Sequence, residues 1–133
     1  MREDIGLFRG KRIGSRAWVS GNLWRYSSDG KTYILHESGT PIEVDPATVG
    51  EYTGLKDLDG KRIWEGSIVR GMFRYGLSLN AVVSFEDGAF GLMWYAKNEA
   101  GDTDEYFEGF TSIYEVGFKV IGDVVDNPEL LGV

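Results

Sequence analysis

Five cations in the first fifth of the chain, Arg9, Lys11, Arg12, Arg16 and Arg25, are interleaved with Phe8, Trp18, Trp24 and Tyr26. Cations neutralise phosphates and flat rings stack on unpaired bases, so a sheet presenting both could hold single-stranded nucleic acid. Arg9, Lys11, Arg12, Arg16 and Arg25, together with Trp24, are the candidate interaction surface. Against this stands the geometry of a strand. Neighbouring side chains point to opposite faces, which would send the rings into a core and leave the cations merely to solubilise the other side.

Other residues with chemical potential have plainer explanations. His36 is the single histidine, and no nucleophile-elbow motif accompanies it, so it is expected to be a hydrogen-bonded structural residue. Gly30-Lys31-Thr32 resembles the tail of a phosphate-binding loop. The required first glycine would fall at Arg25, however, and a strand follows where a helix N-terminus is needed. Asp57, Asp59 and Gly60 share the opening of a calcium loop, but the register would put Leu55 and Gly66 at ligand positions. Asp102, Asp104, Glu105 and Glu108 form an acidic run best explained as a solvated loop. No catalytic, cofactor-binding or metal-ligating residue is assigned, and the expectation is a protein that is not an enzyme.

The elements that must position these residues are short strands. Residues 7–13, 17–26 and 32–36 are expected to form a β-meander, with Asp29-Gly30 in a tight turn. Asp45-Pro46 has the form of a helix start, a capping carboxylate followed by a proline whose missing N–H costs nothing, and Gly50 ends that short turn. Gly50 and Gly54 are both expected at positive φ. From Lys61 onward alternation resumes, with strands at 61–64, 67–73, 79–85, 90–95 and 118–125. Glu86-Asp87-Gly88-Ala89 is the strongest hairpin signal, and Asn127-Pro128 opens a terminal helical turn. The expected organisation is mainly β: a three-stranded meander over 1–41, a connector with a helical turn over 42–60, and an SH3-like small barrel over 61–133.

Composition agrees with short strands and tight turns. The 133 residues include 19 glycines, about twice the usual share of ~7%, and 14% are aromatic. There is no cysteine, which removes disulfides and thiolate chemistry. No apolar segment follows Met1-Arg2-Glu3-Asp4 and no window is long enough to span a bilayer, so a cytoplasmic protein without a membrane partner is expected. The net charge of −7 argues against a general polyanion binder. It conceals a gradient: residues 1–35 hold seven Lys/Arg against three Asp/Glu, and residues 36–133 hold seven against eighteen. Such a division would allow head-to-tail self-association.

Several blocks carry a resemblance. Leu7-Phe8-Arg9-Gly10-Lys11-Arg12, Trp18-Val19-Ser20-Gly21, the long run from Val44-Asp45-Pro46 to Leu55-Lys56-Asp57, and Gly60-Lys61-Arg62-Ile63-Trp64-Glu65-Gly66 occur in order. Val82 to Gly91 and Val120-Ile121-Gly122-Asp123 through Asn127-Pro128-Glu129-Leu130-Leu131 complete the series. The chain resembles the YopX family of phage and prophage proteins. Ser67 stands where an acidic residue is usual and Trp64 where a tyrosine is, and the stretch from Asn98 to Glu105 is individual. The resemblance implies a mostly β fold and a phage-derived gene in a bacterial cytoplasm, and it implies no established activity. The expected role is that of an accessory protein that binds a protein partner or itself, with single-stranded nucleic acid as the alternative ligand.

Overall fold

The computed structural model describes residues 6–25, 28–72, 78–110 and 117–132. Met1 to Asp4, Tyr26, Ser27 and Phe73 lie outside the described residues. The strands are β1 (Leu7–Lys11), β2 (Trp18–Arg25), β3 (Thr32–Leu35), β4 (Pro41–Val44), β5 (Gly50–Lys56), β6 (Arg62–Trp64), β7 (Ser67–Met72), β8 (Ser78–Glu86), β9 (Ala89–Lys97), β10 (Thr103–Gly109) and β11 (Phe118–Asp123). Single 3-10 turns occupy Pro46–Thr48 and Pro128–Leu131. Two sheets result, ordered β4-β3-β2-β1-β5-β6 and β10-β9-β8-β7-β11. The chain divides into two compact units between Gly54 and Leu55, within β5.

In the N-terminal unit every pairing from β4 to β5 is antiparallel. Alternation sends Val19, Ile34 and Val44 to one face, where they are buried with Phe8, Leu23, Ile42 and Val49 packed against them. The sheet curls until Arg12 bridges Val44 and the Lys11 carbonyl accepts from the Asp45 N–H. Space inside the curl is scarce. A Cβ on Gly21 would lie 2.2 Å from the Leu35 carbonyl oxygen, so only glycine fits there. The 3-10 turn forms as its sequence suggests, with Asp45 accepting from the Ala47 N–H at 3.1 Å and Pro46 in the first turn. Thr48 fastens it to β1, its hydroxyl accepting from the Lys11 N–H at 2.8 Å and donating to the Asp45 carbonyl at 2.7 Å.

The stretch 42–60, expected as a connector with one helical turn, contains most of β4 and all of β5. Gly50 is a strand residue opposite Arg9 rather than a positive-φ break, whereas Gly54 does take a φ of +87°. Local composition misleads here because cross-strand partners, not intrinsic preference, decide a half-buried strand.

In the C-terminal unit Ile63, Val69, Ala81, Val83, Leu92 and Phe118 form the core, flanked by Leu55, Leu79, Trp94, Phe110 and Val120. Among the described residues the expected SH3-like barrel is seen as an open five-stranded sheet with β10 and β11 at its edges. The 86–89 hairpin has the expected form: Glu86 pairs with Ala89, and Asp87 and Gly88 supply the two positive φ values, +51° and +82°. The acidic run expected as a loop is largely β10. Asp104 and Glu105 stand on this edge strand, where charge is a common device against edge-to-edge pairing, whereas Glu108 is half-buried with its Oε2 shielded from solvent. Asp57 has a structural task in the fold. Its carboxylate accepts from the N–H groups of Asp59 and Lys61, each at 2.8 Å, and of Val120 at 2.9 Å, tying the turn to β11.

Candidate interaction face of the N-terminal unit

The cross-strand register decides where the basic and aromatic residues meet. Lys11 lies opposite Trp18, Arg9 opposite Ser20, and Trp24 opposite Tyr33. Arg9 and Lys11 therefore share a face with Trp18 and Trp24, the face turned away from Val19, Ile34 and Val44. Cations and rings do alternate along each strand. The next strand, however, brings a cation of β1 over a ring of β2. The Arg9 guanidinium carbon is 4.2 Å from the Trp18 ring centroid and the Lys11 ammonium nitrogen 4.6 Å, both within cation–π range. Lys11 is only 8% exposed, its stem covered and its charge held on the ring.

The remaining candidates separate. Arg12 follows Lys11 beyond the end of β1 and is exposed. Arg25 is exposed at the end of β2, on the side opposite to Trp24 by strand alternation. Arg16 sits in the β1–β2 connection with a φ of +61° and pairs with Asp45 at 3.1 Å. The structure thus brings Arg9, Lys11 and Trp24 onto one face and places Arg12, Arg16 and Arg25 elsewhere.

Trp24 is 38% exposed and tilts against Tyr33, their centroids 6.1 Å apart. Two hollows flank it. One, of about 510 Å³, is lined by Asn22, Leu23, Trp24, Leu35, Gly39 and Pro41; the other, of about 230 Å³, by Trp24, Asp29, Tyr33 and Pro41. At its rim Asp29 accepts from the Lys31 N–H and the Tyr33 hydroxyl, each at 2.8 Å, and these two hydrogen bonds hold its carboxyl below the usual range. Sequence reasoning missed Tyr33, Leu35 and Pro41. Only the register connects them to Trp24.

The charge gradient changes meaning once the chain folds. Residues 1–54 hold seven Lys/Arg against seven Asp/Glu, and residues 55–133 seven against fourteen. The positive N-terminal third meets counter-charges from its own unit, Arg16 on Asp45 and Lys31 on Glu43 at 4.0 Å. Arg16, then the Ala47 N–H, lowers the Asp45 pKa. His36 closes the β3–β4 hairpin, its Nδ1 accepting from the Ser38 N–H at 3.4 Å. Among the described residues no three His, Cys, Asp or Glu side chains are grouped to hold a metal ion, and no helix is long and apolar enough to cross a membrane.

Comparison with known proteins gives a consistent picture of fold. The family model described as YopX protein matches residues 10–132. The crystal structure of protein YopX from Bacillus subtilis, a structural genomics target, is similar with a TM-score of 0.53 at 24% identity, over 94% of this chain and 97% of that one. No curated protein matches.

Proposed function

We propose, from the premise that this chain belongs to the YopX family, that it is a non-enzymatic module that binds a protein partner through the outer face of β1, β2 and β3. The observation that carries this reading is the setting of Trp24, an exposed ring that lines two hollows together with Tyr33, Leu35 and Pro41. Exposed tryptophan and tyrosine beside shallow pockets are the usual anchors of protein interfaces. A phage or prophage origin and action in the host cytoplasm complete the proposal, resting on the sequence blocks.

Self-association has lost its electrostatic motive, because the N-terminal unit is balanced. A partner seated on Trp24 gains chiefly from apolar burial. The test is photo-crosslinking from a benzophenone residue at Asn22, beside Trp24, with the chain expressed in a bacterial host. A discrete adduct that Trp24→Ala removes supports the proposal, and adducts unaffected by that change overturn it. Sedimentation at low and high salt separates a second copy from a different partner.

A second reading, single-stranded nucleic acid, is favoured by the placement of Arg9 and Lys11 on the same face as the rings. Both cations already lie on Trp18, and the chain carries −7. Fluorescence anisotropy with short single strands at low salt decides it, since electrostatic binding is strongest there and its absence removes the reading.

A further inference from the structure

The outer face of β2, β3 and β4 is built of two cross-strand rows. The register sets Asn22, Leu35 and Pro41 side by side in one row and Trp24, Tyr33 and Glu43 in the next. The residues between them, Leu23, Ile34 and Ile42, belong to the core cluster on the other side of the sheet. The Trp24 and Tyr33 rings meet at 48°, neither stacked nor perpendicular, and Pro41 joins them in lining the smaller hollow. The larger hollow follows the first row, with Leu35 and Pro41 in its wall. Trp24 and Pro41 line both hollows, so the two adjoin as one groove.

Charge is gathered at one end of this groove. Asp29 lines the smaller hollow, and Glu43 stands directly opposite Tyr33 in the register. Lys31 lies 4.0 Å from Glu43, so the described rim sets two carboxylates against one ammonium. Arg25 follows Trp24 in the chain but projects to the opposite side of β2. The rim is therefore acidic beside a patch of rings, which suits a cation next to an apolar ligand and repels phosphate. A sheet face, unlike a sheet edge, offers side chains rather than backbone pairing groups. Its occupant must keep its own backbone satisfied by water. The polyproline II helix does so, having no internal hydrogen bonds, and its preformed shape loses little entropy on docking against aromatic rings.

We propose that this groove binds a proline-rich segment of a partner protein in the polyproline II form. Its pyrrolidine rings pack on Trp24, Tyr33 and Pro41, and a flanking arginine or lysine meets Asp29. The inference rests on the protein-binding reading and gives that partner its chemistry.

The test is an NMR titration of the full chain with a short oligoproline carrying an arginine at each end. Beside it run the same oligoproline with glutamate at each end and a glycine-serine peptide of equal length with arginine at each end. The expected result is saturable shifts at Trp24, Tyr33 and Leu35. The glutamate-ended peptide should bind about two- to fivefold more weakly, as exposed ion pairs allow. The glycine-serine peptide should bind about tenfold more weakly or less, because it lacks the rings and must be ordered on binding. Trp24→Ala should abolish the shifts, and Asp29→Asn should remove the preference for arginine while leaving oligoproline binding in place. Equal binding of the glycine-serine peptide, a preference for glutamate, or shifts gathered instead at Arg9, Lys11 and Trp18 overturns the proposal. No oligoproline binding while the Trp24-dependent crosslink still forms in cells overturns it and leaves the interaction module standing; loss of both removes both.

Discussion

The two units place their tryptophans in opposite ways. In the C-terminal unit Trp94 packs against the core and stacks on Tyr106 across β9 and β10, with ring centroids 5.9 Å apart and planes 15° apart. In the N-terminal unit Trp18 and Trp24 lie on the face away from the core, the first beneath two cations and the second between two hollows. The difference follows from room. Inward positions of β1 and β2 include Gly10 and Gly21, and at Gly21 even a methyl group would strike the neighbouring backbone. A sheet curled that tightly is filled by Val19, Ile34 and Val44 with Phe8 against them, and its two tryptophans stand outside. One unit packs Trp94 against its core, while the other sets Trp18 and Trp24 on the face away from it.

The largest effect should come from the C-terminal core. Leu92 is fully buried, and Leu92→Ala should lower stability by about 2–5 kcal/mol, measured by urea unfolding. Trp24→Ala in the same assay should cost far less. If the two losses are equal, Trp24 is a core residue and the contrast between the units fails.

Asp57 should come next. Burial raises its pKa, but hydrogen bonds from the Val120, Lys61 and Asp59 N–H groups, helped by the Lys61 charge, outweigh that and leave it below the ordinary 3.8. A folded-state pKa below the unfolded one adds stability that is complete above about pH 4 and is lost as pH falls through the folded value. Asp57→Asn should therefore cost about 1.5–3 kcal/mol at neutral pH and flatten the acid limb of the stability curve. An acid limb unchanged by the substitution would remove Asp57 from this role.

Gly21→Ala probes the N-terminal curl. Its new Cβ meets backbone, which cannot swing aside, so β2 and β3 must separate at a cost of about 1–3 kcal/mol. Thermal unfolding together with amide exchange at Leu35 reads it. A neutral result would mean that the curl can open, and that lack of room does not keep the rings outside.

Legibility from sequence divides along the same physical line. The 86–89 hairpin was readable because Asp87-Gly88 demands a two-residue turn, and such a turn fixes the register of both strands. Residues 12–17 and 26–31 join their strands by longer connections that leave the register open. The pairing of Lys11 with Trp18 and of Trp24 with Tyr33 therefore could not be read along the chain. The opposition of neighbouring side chains was correct within each strand, and the face was formed between strands. β10 was hidden for a related reason: its carboxylates disfavour a strand, but pairing with β9 from Thr103 to Gly109 overrides them. The Asp45 cap and the Pro46–Thr48 turn depend only on adjacent residues, and they were legible.

The smallest effect examines the displayed face itself. Arg9 lies 4.2 Å from the Trp18 centroid, and a partly exposed cation–π contact contributes about 0.5–1 kcal/mol. A double-mutant cycle with Arg9→Ala and Trp18→Leu should return a coupling of that size, since each single change removes the contact and the double change removes nothing further. Lys11 remains near the ring at 4.6 Å, so Arg9→Ala alone should leave Trp18 partly covered. A measurable coupling means that the cations are committed to the ring, which weakens them as phosphate ligands and favours a protein partner at Trp24. A coupling near zero would mean that the guanidinium does not hold the ring, and stacking of an unpaired base on Trp18 would become the stronger account of why cations and rings share this face.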